Sequence, residues 1–362
     1  MWTILTGIIF GVGAVILVKF GNPGNYGFCA ACQLRDIAGS LGIHEVATLR
    51  YARPEIMGWI LGAFLMAHTS GEFRSRGGAS PLIRFLLGMA MMIGALAFLG
   101  CPLRSVLRLA GGDLNGFTGL LGFIAGAGCG IIFLRRGFAL GKSNENTGVL
   151  KSTGYLLPAL ALVLLLAVAC QSPWLAFSKQ GPGAMHSPVL LSAGLGLLAG
   201  IAAQRTRLCM SGGIRDFFLT RDTRLLQIYG ALFVAAIAAN LYFGFFKLGF
   251  RGQPLAHTAH LWNFLGLFLV GMAAILAGGC PLRQLISSGQ GSTDAAWAVV
   301  GMLAGAGVSH RLNAAGSATG VGLNGQIAVV IGVAVTLGIG LFFVRHSTVS
   351  GQRAAATAVG NN

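Results

Sequence analysis

Two copies of one five-residue element, Gly100-Cys101-Pro102-Leu103-Arg104 and Gly279-Cys280-Pro281-Leu282-Arg283, place a thiol, a helix breaker and a cation in the same order. Glycine and proline break an incoming helix, and proline is favoured at the first position of a new one. Each cysteine therefore falls near the N-cap of a short helix, where free N–H groups and the positive end of the helix dipole favour an anion. Arg104 and Arg283 lie about one turn further on, on a similar face. A neutral thiol is a weak donor on a polarizable atom. It suits a soft sulfur- or selenium-bearing anion better than chloride or phosphate. A thiolate would repel such a ligand, so the thiols are expected to rest neutral. The two arginines are expected to stabilise the half-helix hairpins and to bias the path toward anions, equally in both copies and without touching the substrate.

A second pair of elements precedes the first. Cys29 is followed by Arg35 and Asp36, and Cys209 by Arg215 and Asp216, at matching spacing. An adjacent Arg and Asp lower each other's burial cost in an apolar setting. They either anchor an interface as ion pairs or contact groups of the other copy. The candidate pathway residues are thus Cys29, Cys101, Cys209 and Cys280, with Arg35, Asp36, Arg104, Arg215, Asp216, Arg283 and Cys32 in support. Cys29 and Cys32 also form a C-x-x-C, a spacing that can be redox-active or bind metal. The second copy has Gly212 in place of Cys32, and no further C-x-x-C completes a four-ligand set, so no metal site is expected. Redox or relay chemistry at the pair stays open. Cys129 and Cys170 lie in unbroken apolar stretches and are read as packing residues. His257 and His260 have no carboxylate close by. There is no Walker loop, nucleophile elbow or dinucleotide fingerprint. Neither a catalytic residue nor a cofactor is expected, and the chain is not read as an enzyme.

The elements that carry these residues must be membrane helices. Of 362 residues, 55% are hydrophobic and only 9% charged, against about 25% charged in a soluble domain. Mean hydropathy is +0.76. The net charge of +16 comes from Lys and Arg clustered between long apolar runs, the way a membrane protein displays its loops. Nucleic acid is therefore not an expected partner. A span needs about 20 apolar residues, which gives nine or ten spans here. Residues 1–18 are read as the first of them rather than as a cleavable leader, and 325–345 as the last.

Repetition sets the organisation. GFIAGAG at 122–128 returns as GMLAGAG at 301–307, at the same offset of 179 that separates Cys101 from Cys280. Two elements repeated in one order define two halves, and broken helices in corresponding positions mark transporter folds with a site at the repeat interface. The expected fold is an all-α polytopic membrane protein of two pseudo-symmetric, inverted repeats whose re-entrant half-helices meet at a central constriction. The first repeat covers 1–150, with re-entrant segments near 24–42 and 99–112. A connecting span and loop covers 151–186. The second repeat covers 187–345, with re-entrant segments near 205–221 and 278–291, and a flexible tail follows at 346–362.

These residues resemble the YeeE/YedE family of sulfur-transport membrane proteins, over about residues 5–345. The stretches GNPGNYGFCAACQLRDIAGSLG (21–42), RPEIMGWILGAF (53–64) and FLGCPLRSVLRLAGGDLNG (98–116) look like its YedE branch, which is associated with selenium metabolism. The resemblance implies an hourglass of two halves and an inner-membrane importer of a thiosulfate-like anion or a selenium compound, passed along by S–H contacts at Cys29, Cys101 and Cys280, with Cys209 the repeat mate of Cys29. It also implies a bacterial inner membrane and a possible cytoplasmic sulfur or selenium carrier protein as partner. Cys32 matches no pathway position of the thiosulfate importers. Two other functions stay in view: a membrane thiol oxidoreductase using Cys29 and Cys32, and an accessory membrane subunit of selenium metabolism.

Overall fold

The computed structural model describes the backbone of residues 1–359 and the side chains of residues 1–345. Fourteen α-helices carry the described chain, with one two-stranded pairing of β1 (Arg76–Gly77) and β2 (Asn144–Glu145) between loops. Eight stretches are long and apolar enough to cross a membrane, so this is an all-α, multi-pass membrane protein. The expected tail at 346–362 falls outside the described side chains.

Six helices come first: α1 (Trp2–Lys19), α2 (Ala30–Ser40), α3 (Pro54–Thr69), α4 (Pro81–Phe98), α5 (Pro102–Ala110) and α6 (Asn115–Arg135). A 3-10 turn at Gly148–Tyr155 and α7 (Leu156–Ala169) follow. Six more come next: α8 (Val189–Thr206), α9 (Met210–Thr220), α10 (Arg224–Tyr242), α11 (His260–Leu276), α12 (Pro281–Gly289) and α13 (Thr293–Arg311). The long α14 (Leu323–Val359) ends the chain as described. The eight apolar stretches do not include α3, which has only 16 residues, or α13, which carries Asp294 in its first turn and Arg311 in its last.

Helices of the two sets pack crosswise. α1 lies on α10 while α3 lies on α8, and α4 lies on α13 while α6 lies on α11. Glycine permits these approaches. A Cβ on Gly126 of α6 would stand 1.9 Å from the Phe268 carbonyl oxygen of α11, and one on Gly88 of α4 would stand 2.1 Å from the Ala298 carbonyl oxygen of α13. In lipid, where there is no water to drive apolar helices together, such close backbone packing is a main source of association. Gly126→Ala should therefore destabilise the folded protein by about 1–3 kcal/mol. Gly128→Ala, with nothing within 4 Å of the added carbon, should leave stability unchanged or raise it slightly. Melting of both variants in detergent checks the pair.

The outer faces are apolar and the centre holds charge. Leu160, Val163, Leu190, Val234, Leu241 and Ile331 are exposed, whereas Arg53, Arg104, Arg108, Asp36 and Asp113 are buried. That is the reverse of a soluble domain and the arrangement lipid imposes. Four short helices, α2, α5, α9 and α12, fall within the four segments read as re-entrant from sequence. Residues of α2 are buried throughout, and α5 nearly so.

Candidate functional site

The four candidate cysteines are the N-cap residues of those four short helices: Cys29 of α2, Cys101 of α5, Cys209 of α9 and Cys280 of α12. All four are buried and free. Each has extended backbone, so the chain does break at the cysteine. The breaks are local in cause. Before Cys101, Leu99 adopts the left-handed region at φ 63°, and before Cys280 the matching residue is Gly278 at φ 82°. Pro102 and Pro281 then occupy the first helical position.

Two of the thiols cap their helices. The Cys32 N–H donates to Cys29 Sγ at 3.3 Å, and the Gly212 N–H donates to Cys209 Sγ at 3.2 Å. The same backbone geometry thus serves both copies, although one carries a thiol there and the other a hydrogen atom. The other two thiols make no capping bond. They meet the first two instead: Cys101 interacts with Cys29, and Cys280 with Cys209. The backbone of Ala30 and Arg104 approaches the Cys101 sulfur, and that of Met210 and Arg283 approaches the Cys280 sulfur. In each set, two helix N-termini converge on one thiol pair. Partial positive charge from both is concentrated there.

Beside the first pair, Cys29 Sγ and Cys32 Sγ are 2.9 Å apart. Arg104 binds Cys32 Sγ at 3.1 Å, the Asn25 carbonyl at 2.7 Å, the Leu255 carbonyl at 3.4 Å and the Leu99 carbonyl. Its guanidinium also lies 5.4 Å from the Tyr26 ring centroid. Gly100 gives it room to fold back, since a Cβ there would stand 3.0 Å from Arg104 Cδ. Arg104 is a tie for loop carbonyls. Lysine keeps the charge but lacks the planar fork, so Arg104→Lys should lose about 1.5–3 kcal/mol of stability, nearly as much as Arg104→Ala, by melting in detergent. A cavity of about 290 Å³ opens next to this loop, lined by Asn25, Gly27, Leu107, Asn240, Lys247 and Gln253 among others.

Arg283 is placed differently. Gln284 donates to the carbonyls of Ala277 and Gly279 at 3.3 and 3.1 Å, holding the loop that Arg104 holds in the first set. Ser105 stands where Gln284 would be. Arg283 is left with a buried Nη1 that has no hydrogen-bond partner among the described residues. The equal roles expected of the two arginines from sequence are therefore not matched by equal surroundings.

The Arg-Asp elements also diverge. Asp36 accepts from Arg35 at 2.7 Å, Arg53 at 2.8 Å and the Tyr26 hydroxyl at 2.5 Å, with the ion-paired side chains 0–7% exposed. Arg53 donates onward to the Met185 and Pro182 carbonyls and stacks over Tyr26 and Tyr51. Among the described residues Arg215 and Asp216 pair only with each other, at 2.9 Å, with side chains 41% and 31% exposed. Sequence reasoning missed Tyr26 and Arg53, whose partner lies 17 residues from Arg53, and the buried pair Arg108–Asp113 at 2.6 Å. A charged residue just before the helix-starting Pro54 was the one local sign of Arg53. Cys129 is half-buried on α6, and Cys170 is exposed at the end of α7, not packed inside. No group of three or more potential metal ligands occurs among the described residues.

Residues 205–357 match the family model described as Sulphur transport. That segment, and not the rest of the chain, is similar to the sulphur transport family. Two curated relatives are thiosulfate transporters named TsuA. That of Escherichia coli strain K12 is 27% identical over 107 residues, 30% of this chain and 30% of the relative. That of Spirochaeta thermophila is 30% identical over 106 residues, 29% of this chain and 32% of the relative. The alignments thus span less than a third of either relative. The sulphur transport family match includes Cys209, Tyr229, Cys280 and Arg283. Cys29 and Cys101 lie before it, tied to the family segment by their equivalent place at helix N-termini.

Proposed function

We infer that the chain is a bacterial inner-membrane carrier, not an enzyme, that imports a small sulfur- or selenium-containing anion along Cys29, Cys101, Cys280 and Cys209. One observation carries this: four buried thiols sit in two pairs, and each pair lies where two short-helix N-termini converge. An anion leaving water needs its charge answered by donors, and helix N-termini supply them without a lysine that would hold it too tightly. The thiols add soft contacts for a terminal sulfur or selenium atom. The two halves are read as inverted repeats around this centre, on the crosswise packing of α1 on α10 and α3 on α8. Thiosulfate is the leading substrate, because both curated relatives are thiosulfate transporters. A selenium analogue uses the same soft contacts, and a cytoplasmic carrier protein would take the product.

Uptake of labelled thiosulfate and selenium compounds by cells with and without the protein tests the function, and proteoliposomes holding this chain alone separate a carrier from an accessory subunit. A second function, thiol oxidation and reduction, is favoured by the 2.9 Å contact between Cys29 and Cys32. The two make opposite demands on one variant. Cys32→Gly copies the second set, where Gly212 stands, and should retain thiosulfate uptake; an oxidoreductase would lose its function.

A further inference from the structure

Two buried polar groups within electrostatic reach of the second thiol pair have no hydrogen-bond partner among the described residues. Tyr229 of α10 is 6% exposed, and its hydroxyl has no hydrogen-bond partner among the described residues. The phenol lies within electrostatic reach of Cys280, Cys209 and Cys101. Arg283 Nη1 is likewise buried and unpartnered, and its guanidinium is within reach of Cys209 and Cys280. A buried hydroxyl or guanidinium N–H left unpaired is costly, and a ligand between Tyr229 and Arg283 would satisfy both at once. The protein also supplies the means to keep Arg283 free. Gln284 binds the Ala277 and Gly279 carbonyls, which flank Gly278, the counterpart of the Leu99 whose carbonyl Arg104 binds in the first set.

We propose that Tyr229 and Arg283 are binding residues that grip the oxygen end of a small sulfur oxyanion whose terminal sulfur lies against the Cys209–Cys280 thiols. This rests on the transport function proposed above and names its ligand class and the donors responsible. The chemistry is divided. The hydroxyl and the guanidinium are hard donors suited to anionic oxygens, the thiols are soft contacts suited to sulfur, and the N-termini of α9 and α12 supply the background of positive charge. An anion with oxygens at one end and a bare sulfur at the other satisfies all three. Sulfate satisfies only two. The two sets also become unequal: beside the first thiol pair Arg104 is committed to loop carbonyls and Cys32, whereas beside the second Arg283 Nη1 has no partner among the described residues, so both pairs line the path and the second is where the anion is gripped.

The test uses the purified full-length chain, with thiosulfate as probe, for binding in detergent and for uptake in proteoliposomes. Tyr229→Phe removes only an unpartnered hydroxyl, so the ligand-free protein should melt at the same temperature or higher. Its thiosulfate Kd and its KM for uptake should each rise about tenfold. Arg283→Gln should raise both by about tenfold or more, and Arg283→Lys should recover part of the loss. Cys170→Ala, at an exposed site, should change neither. If the wild type takes up thiosulfate while both variants keep its Kd and KM, the binding site is overturned and carriage stands. If the wild type binds in a Tyr229-dependent way but takes up nothing, the site stands and carriage is overturned. Absence of both binding and uptake overturns both.

Discussion

Replacing Cys101 or Cys280 with alanine should reduce thiosulfate uptake by about a hundredfold, the size of loss found when one donor is removed from a preorganised polar site. The folded protein should survive. Neither sulfur makes a capping bond, so truncation removes packing and weak thiol contacts, a cost of about 1–3 kcal/mol. Cys29 and Cys209 differ, because each accepts a cap hydrogen bond, and their alanine variants add a cap loss of about 0.5–2 kcal/mol. Uptake per folded molecule, with the folded fraction measured by gel filtration in detergent, separates the two effects. Uptake unchanged in both Cys101→Ala and Cys280→Ala would remove the thiols from the path.

Asp36→Ala should be the most damaging single change to stability, at about 3–5 kcal/mol, because it leaves buried charge uncompensated. The carboxylate holds Arg35, Arg53 and the Tyr26 hydroxyl, and Arg53 ties the loop at Pro182 and Met185 to the start of α3. Tyr26 lies between Arg53 and Arg104, with guanidinium-to-ring distances of 4.7 and 5.4 Å, so the disturbance would reach the Arg104 loop. Its counterpart provides the control. Asp216 makes one half-exposed ion pair, worth about 0–1 kcal/mol, and Asp216→Ala should melt close to wild type. Equal losses in the two variants would mean that the buried network does not bind the segments together.

The breaks at Cys101 and Cys280 were legible in sequence because their causes lie within a few residues: a glycine, an N-capping cysteine and a proline at the first helical position. The membrane class was legible for the same kind of reason, since apolar length is counted along the chain. What five residues could not convey was the fate of the arginine inside them. Gly-Cys-Pro-Leu-Arg is identical in both copies, yet the next residue, Ser105 or Gln284, decides whether the arginine must hold the loop. The Arg-Asp elements are alike in spacing but not in surroundings. Arg53 reaches Asp36 from the N-cap of α3, whereas no such third partner meets Asp216 among the described residues. Tyr229 gave no sign at all, being an aromatic residue in an apolar run whose position beside the thiols depends on how α10 packs.

If thiols make the path selective for an anion with a soft end, the ratio of labelled thiosulfate to labelled sulfate taken up by proteoliposomes containing only this chain will show it. The two ions carry the same charge and differ by one atom, sulfur for oxygen. A path built from helix N-termini and thiols predicts that thiosulfate enters, that unlabelled sulfate slows it far less than unlabelled thiosulfate does, and that Cys101→Ala and Cys280→Ala each lower the entry about a hundredfold. Equal uptake of thiosulfate and sulfate, or selectivity that persists in both alanine variants, would contradict it.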